Sequence, residues 1–355
     1  MRSGCRIRPP LASGRVRRTR DAKSVRECDE PVLSAGRTLG WGLRVRRTRP
    51  VGSGGPRVYR GRVDTRTAPA NGIDIAYESF GDPADPAVLL VMGLGTQMIA
   101  WPDQMCAALA DAGHFVVRFD NRDVGLSTHL DGVRAPSLAA LATKRADPPY
   151  TIGDMADDAF GLLDALGLES AHVVGASMGG FIAQTMAIRR PARVRSLSLI
   201  MTSTGGRRVG LPKPSMLRQL LRRRGGAASR EELVEGALTV LSRLAGPGYP
   251  IDTDYVRELT ERSLDRSYDP GGYLRQFSAV AAQPDRTTAL RAVAAPTVVM
   301  HGLDDPLVGY TGGVAVARAI PDAEFIGYPG MGHDLPRPLW PRITQAILDV
   351  AGRAA

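Results

Sequence analysis

Three residues sit where an activated hydroxyl could attack a carbonyl: a serine between glycines, a histidine in a glycine-rich loop, and an aspartate before a proline. Ser177 lies in the pentad Gly175-Ala176-Ser177-Met178-Gly179, within HVVGASMGGFIAQ. Such a pentad exposes a serine at a sharp turn when a buried strand precedes it and a helix follows at once. The chain has 40 glycines, so the bare pattern can arise by chance and its setting must decide. AHVV reads as the strand and FIAQTMAI as the helix. Gly175, Ala176, Gly179 and Gly180 are the small flanks needed where strand and helix backbones nearly touch. Ser177 is therefore the candidate nucleophile.

A serine hydroxyl needs a histidine to take its proton and a carboxylate to orient that histidine. The five histidines allow selection by position. His172 opens the strand before Ser177 and His301 closes the strand in PTVVMHG, so both read as sheet residues. His114 begins a strand at the opposite end of the sheet. His129, in the polar loop after RFD, is a rival. His333, in YPGMGHDLP after the last strand, lies at the carboxyl edge where open α/β sheets bind ligands, and it is the candidate base. For the acid, MTSTGGRRVG offers none, whereas HGLDDPLV holds Asp304 and Asp305. Asp304 reads as solvated or as a helix cap. Asp305, rigidified by Pro306, is the candidate carboxylate.

Acyl transfer also needs two N–H groups aimed at the developing oxyanion. The Met178 N–H, at a helix start, is one candidate, and the helix dipole adds positive potential there. The Leu94 N–H, in the loop after LLVMG, is the other; MGLG could equally be a plain flexible turn. No His pair or Cys cluster has ligand spacing, so neither a metal nor a cofactor is expected.

These residues need a scaffold that brings strand ends together. GIDIAYESFG reads as an early strand after an Asn71-Gly72 turn, and AVLLVMG and HFVVRFD read as buried parallel strands. WPDQMCAALADAG, TIGDMADDAFGLLDALG with its Thr151–Asp154 start signal, and MGGFIAQTMAIRR are helical in period. VRSLSLI, PTVVMHG and AEFIGY add strands, GGVAVARAI a helix, and residues 337 to 352 a final amphipathic helix. Alternating strands and helices predict an α/β fold, a mostly parallel twisted sheet with helices on both faces. The alternation breaks from 204 to 288, which reads as a helical cap inserted into a core of 63–203 and 289–355, with Ser229 and Glu232 forming a capping box. Met216, Leu220, Tyr255, Leu259, Tyr273 and Phe277 of that segment suggest an apolar pocket or simple packing onto the sheet. Its RRR at 222–224 reads as a solvated helix end.

The net charge of +10 would suggest nucleic acid, but it is not evenly spread. Residues 1–62 carry 17 Arg or Lys against four acids, leaving 29 bases against 32 acids in the remainder. That basic, Gly-, Ser- and Pro-rich segment is expected to be disordered. It reads as an over-extended gene start, a solvated tail, or a tail for nucleic acid or another anionic surface. No nucleic-acid partner is expected for the core. Three cysteines without ligand spacing suggest a reducing, cytoplasmic location, with Cys106 a buried small hydrophobe. No apolar run approaches the roughly 20 residues of a membrane span.

Taken together, LLVMGLGTQMIAWP, RFDNRDVGLS, YTIGDMADDA, HVVGASMGGFIAQ, APTVVMHGLDDPLV and GMGHDLP resemble the motifs of the α/β-hydrolase superfamily, over about residues 70 to 352. Within it the chain is most similar to actinobacterial serine esterases and lipases, and to polyketide methyl esterases of the aclacinomycin methylesterase type. Many relatives carry His-Gly at Met92-Gly93; the oxyanion donors are backbone groups, so no loss of function is expected. The resemblance implies that RFDNRDVGLS lies near the site, with Arg122 and Asp123 holding the loop rather than reacting. It disfavours haloalkane dehalogenase and epoxide hydrolase chemistry, whose sequences carry aspartate at the nucleophile position. The expected activity is cofactor-free hydrolysis of a small, apolar carboxylic ester through an acyl-enzyme on Ser177, Asp305 and His333. Thioesterase, lactonase and cofactor-free haloperoxidase activities use the same apparatus. A catalytically silent ligand-binding hydrolase fold is the non-enzyme alternative.

Overall fold

The structure, a computed structural model, describes residues 64–354 apart from 138, 141–142, 144–146 and 217–228. The basic N-terminal segment, Leu220 and the arginines at 222–224 lie outside the described residues. An eight-stranded sheet runs in the order β1-β2-β4-β3-β5-β6-β7-β8. Strands β1 (Arg66–Ala70) and β2 (Ile73–Phe80) form an antiparallel hairpin. Its turn residues Asn71 and Gly72 have φ of 51° and 79°, the left-handed pair a tight primed turn requires. Strand β1 is absent from the sequence reading because RTAPA contains a proline and no branched apolar residue; an edge strand tolerates both.

From β3 (Ala87–Val91) onward the neighbours are parallel: β4 (Phe115–Phe119), β5 (Ala171–Ala176), β6 (Val194–Ile200), β7 (Thr297–Gly302) and β8 (Glu324–Tyr328). Strands β3, β4 and β5 are buried throughout, because helices cover both faces. Alternate residues enter different cores. Leu89, Val173 and Leu199 pack with α2 (Ile152–Ala165), α3 (Met178–Arg189) and α7 (Thr311–Ala319). Leu90, Val174 and Ile200 pack with α1 (Asp103–Asp111) and α8 (Trp340–Ala351) on the other side. Cys106 is one of that second core's fully buried residues, and burial pushes its thiol up to about 12. The Thr151–Asp154 pair forms a reciprocal capping box at the start of α2.

After β3 the chain crosses to β4 on one side, then returns through α2 to β5 on the other. The order therefore reverses between β3 and β5, which pair as Val91 with Gly175. Such a switch point opens a crevice at the carboxyl strand ends.

Between β6 and β7 stand α4 (Arg230–Leu244), α5 (Thr253–Arg266) and α6 (Pro270–Ala282). The Ser229–Glu232 box starts α4, while Asp252 and Asp269 cap α5 and α6. Buried ion pairs dock these helices. The Arg266 guanidinium meets the Asp120 carboxylate and lies 2.8 Å from Gln97 Oε1. Arg275 grips both oxygens of Asp123, at 2.7 and 2.9 Å. Tyr255 packs edge-on against Trp340, so at that residue the insert's apolar content serves packing. Among the described residues, no helix is long and apolar enough to cross a membrane.

Candidate active site

Ser177 occupies the turn between β5 and α3 with φ 53° and ψ −115°, a conformation that costs a non-glycine residue roughly 1–3 kcal/mol. Its surroundings enforce that geometry. The Ser177 N–H donates to the Ile200 carbonyl (2.9 Å), and its own carbonyl accepts from Gly180 N–H and Thr202 Oγ1 (2.9 Å each). A Cβ at Gly175 would collide with the Gly179 carbonyl, and one at Gly179 with the Val91 carbonyl. The small flanks are thus required by backbone contact, not by loop flexibility.

His333 and Asp305 converge on this serine from the loops after β8 and β7. His333 Nε2 lies 3.0 Å from Ser177 Oγ, and His333 Nδ1 lies 2.7 Å from Asp305 Oδ2. Both side chains are buried. The other Asp305 oxygen accepts the Leu307 and Val308 N–H groups, each at 2.8 Å. Burial pushes this carboxyl up, but the imidazoles of His333 and His301 outweigh it and hold it well below the usual carboxylate range. The histidine loop is itself pinned: the His333 N–H donates to the Leu244 carbonyl at the end of α4 (2.7 Å). Asp304 is half-buried and caps no helix, but it is not merely solvated. Its Oδ2 accepts the Gly330 N–H at 2.9 Å, tying the aspartate loop to the histidine loop.

The remaining histidines are otherwise engaged. His172 hydrogen-bonds Ser196 Oγ at 2.8 Å within the sheet, and burial with the nearby Arg195 charge pulls it down to about 4. It stacks edge-on with His114. The rival His129 sits 2.9 Å from Asp269 Oδ2 and 3.0 Å from the Gly125 carbonyl, so both its ring nitrogens are engaged, whereas the Ser177 hydroxyl pairs with His333. Asp123, His129 and Asp269 cluster closely enough to suggest a cation site, but the Arg275 guanidinium already bonds both carboxylates. Arg122 and Asp158 form a buried two-bond pair at 2.5 and 2.6 Å, holding the RFDNRDVGLS loop.

The Met178 N–H belongs to the first turn of α3, which has no intrahelical carbonyl to bond. Leu94 follows Gly93, and a Cβ there would lie 3.2 Å from Ser177 Cβ, so this loop lies directly against the serine. Asn121 Nδ2 supports it by donating to the Met92 carbonyl at 3.0 Å.

Three neighbours escaped sequence reasoning. His301 Nε2 donates to the Val308 carbonyl (2.8 Å) and lies 3.4 Å from Asp305 Oδ2. Asp334, beside His333, is raised to about 6, chiefly by burial and then by the Asp305 charge, against the Gly332 N–H and His333. Gln276 reaches the Leu94 loop from α6. His301 and Asp334 lie within the motifs APTVVMHGLDDPLV and GMGHDLP; His301 is the sheet residue its position implied, at the end of β7, but its approach to Asp305 was not legible, and Gln276 carries no sequence signal.

Known proteins place this architecture. Residues 86–336 match the family model described as the alpha/beta hydrolase fold. The chain belongs to the α/β-hydrolase family. This hydrolase is similar in sequence to rhodomycin D methylesterase DauP of Streptomyces sp. strain C5, at 30% identity over 305 residues covering 80% of this chain and 97% of that one. Rhodomycin D methylesterase DnrP of Streptomyces peucetius is 29% identical with the same coverage. In structure it resembles the enol-lactonase from Burkholderia xenovorans LB400, with a TM-score of 0.63 and 24% identity over 81% of this chain and 100% of that one. A thermophilic esterase from Thermogutta terrifontis gives a TM-score of 0.58 at 25% identity, covering 83% and 99% of the two chains.

Proposed function

We propose that this α/β hydrolase cleaves a small, apolar carboxylic ester through an acyl-enzyme on Ser177. The observation that carries the reading is the continuous chain from Ser177 Oγ through His333 to Asp305, at 3.0 and 2.7 Å. His333 Nε2 takes the serine proton as Oγ attacks the ester carbonyl, and Asp305 holds the imidazole in orientation and stabilises its positive charge. The Leu94 and Met178 N–H groups receive the oxyanion, each donor contributing roughly 3–4 kcal/mol. Collapse of the tetrahedral adduct breaks the ester C–O bond, and the alcohol leaves with the proton returned by His333. Water then adds by the same route in reverse and frees the acid. No cofactor enters these steps.

Similarity to two rhodomycin D methylesterases supports a methyl ester as the first substrate to try. The stacked rings of Tyr273 and Phe277, with Tyr273 lying over Gly95, support an apolar substrate beside the oxyanion loop, with the 204–288 segment acting as its cap. Thioesters and lactones belong in the same panel, since their carbonyls would meet the same groups. Ser177→Ala is expected to abolish p-nitrophenyl ester turnover while leaving circular dichroism unchanged. Turnover at the wild-type rate in that variant would overturn the assignment.

A further inference from the structure

Gln276 is fully buried on α6, in the helical insert, yet its carboxamide bonds two loops of the core. Its Oε1 accepts the Gly95 N–H at 2.7 Å, and its Nε2 donates to the Arg122 carbonyl at 2.7 Å. The second bond sets the first. A flipped amide would put NH2 against an N–H and oxygen against a carbonyl, so the orientation has one satisfied state. Arg122 is a firm anchor, since its guanidinium is locked on Asp158, and the adjacent Arg275 is locked on Asp123.

Gly95 follows Leu94, the residue assigned above as an oxyanion donor. Two peptide groups flank Leu94. The first carries the Leu94 N–H, and its oxygen, on Gly93, accepts the Thr96 N–H at 3.3 Å. The second carries the Gly95 N–H bonded to Gln276, and its oxygen accepts Thr96 Oγ1 at 3.1 Å. Gly95 has φ +63°, and glycine makes rotation of that second peptide easy. The two peptides share the Leu94 Cα, so a second peptide released from Gln276 lets that Cα shift and displaces the first peptide, which carries the Leu94 N–H and is tied by the long 3.3 Å bond from Thr96. Tyr273, three residues before Gln276 on the same helical face, packs where a Gly95 side chain would stand. The helix thus presses on one side of the loop and hydrogen-bonds the other.

We propose that Gln276 is a positioning residue for the oxyanion hole: it holds the Leu94–Gly95 peptide so that the Leu94 N–H points at the ester carbonyl oxygen. This rests on the serine-hydrolase reading above and makes the helical insert part of the catalytic apparatus as well as a cover. A misaimed donor acts on the transition state more than on the bound ester, so the loss falls on kcat.

The test compares Gln276→Met, which removes both hydrogen bonds at similar length, with Gln276→Glu, which keeps an acceptor for the Gly95 N–H. Each is assayed with p-nitrophenyl butyrate and titrated to completion with a fluorophosphonate, so that rates are expressed per reactive Ser177. Gln276→Met is expected to lose roughly 10- to 100-fold in kcat per labelled site, part of the 100- to 1,000-fold typical of losing a donor outright. KM stays within about threefold, the labelling rate falls in parallel, and Gln276→Glu recovers part of the loss. An unchanged kcat per labelled site, whatever the melting temperature or yield, overturns the proposal and leaves the serine reading intact. Failure of the wild-type protein to label at Ser177 overturns both.

Discussion

Replacing Asp305 with asparagine exchanges one oxygen for an NH2 group, and the structure determines where that group must go. Asp305 Oδ1 accepts two backbone N–H groups, from Leu307 and Val308, both at 2.8 Å. An NH2 there would face two donors, so the amide oxygen takes that place. The NH2 then occupies the Oδ2 position, 2.7 Å from His333 Nδ1. It can only donate, which obliges Nδ1 to accept and moves the imidazole proton to Nε2. That nitrogen lies 3.0 Å from Ser177 Oγ and can no longer receive the serine proton. The variant also lacks the negative charge that stabilises imidazolium. On the mechanism proposed above, this exchange is expected to lower kcat by about 10,000-fold, or about 5.4 kcal/mol of transition-state stabilisation. Steady-state hydrolysis of p-nitrophenyl butyrate at pH 7.5, with circular dichroism to confirm folding, measures it. A folded Asp305→Asn protein that loses less than about 10-fold would refute the tautomer argument.

Two further perturbations test how the site is held. Asp334 is raised from 3.8 to about 6, so between those values the native state holds a proton that the unfolded chain has released. Stability from this group therefore falls as pH rises through that window, and Asp334→Asn should stabilise the protein at pH 8 by roughly 1–3 kcal/mol but not below pH 4. Urea unfolding at both pH values checks this, and an equal change at both would exclude the titration as the cause. Arg266→Leu strands the fully buried Asp120 carboxylate and should cost roughly 3–5 kcal/mol, lowering Tm by about 6–15 °C. A melting temperature within 2 °C of wild type would show that the pair does not hold the insert to the core.

Much of the scaffold was legible because its strands are buried on both faces and must be continuously apolar. AVLLV, FVVRF and AHVVGA announce themselves in that way, and the glycines, capping boxes and terminal loops bound the elements between them. RTAPA did not, since an edge strand shares one ladder and its residues need not be branched or apolar. The break in alternation at 204–288 was equally plain, and helices α4 to α6 occupy it. How those helices dock was not. Arg266, Arg275 and Gln276 look in sequence like any polar residues of an amphipathic helix.

Local sequence determined the turn at Ser177, because backbone contact leaves room only for small neighbours at 175 and 179. It also put His333 and Asp305 in loops at the carboxyl ends of strands, where the parallel sheet would gather them. The tertiary structure alone decided the distances, since His333 is 156 residues from Ser177 along the chain and 28 from Asp305. It alone decided that Asp304 braces a loop while Asp305 meets the imidazole, and that His301 also faces Asp305. Gln276 is the extreme case, 181 residues from the Gly95 N–H it accepts. Periodicity and motif spacing report what a residue does within its own element. A hydrogen bond between elements depends on how the whole sheet and its insert pack, and no local pattern encodes it.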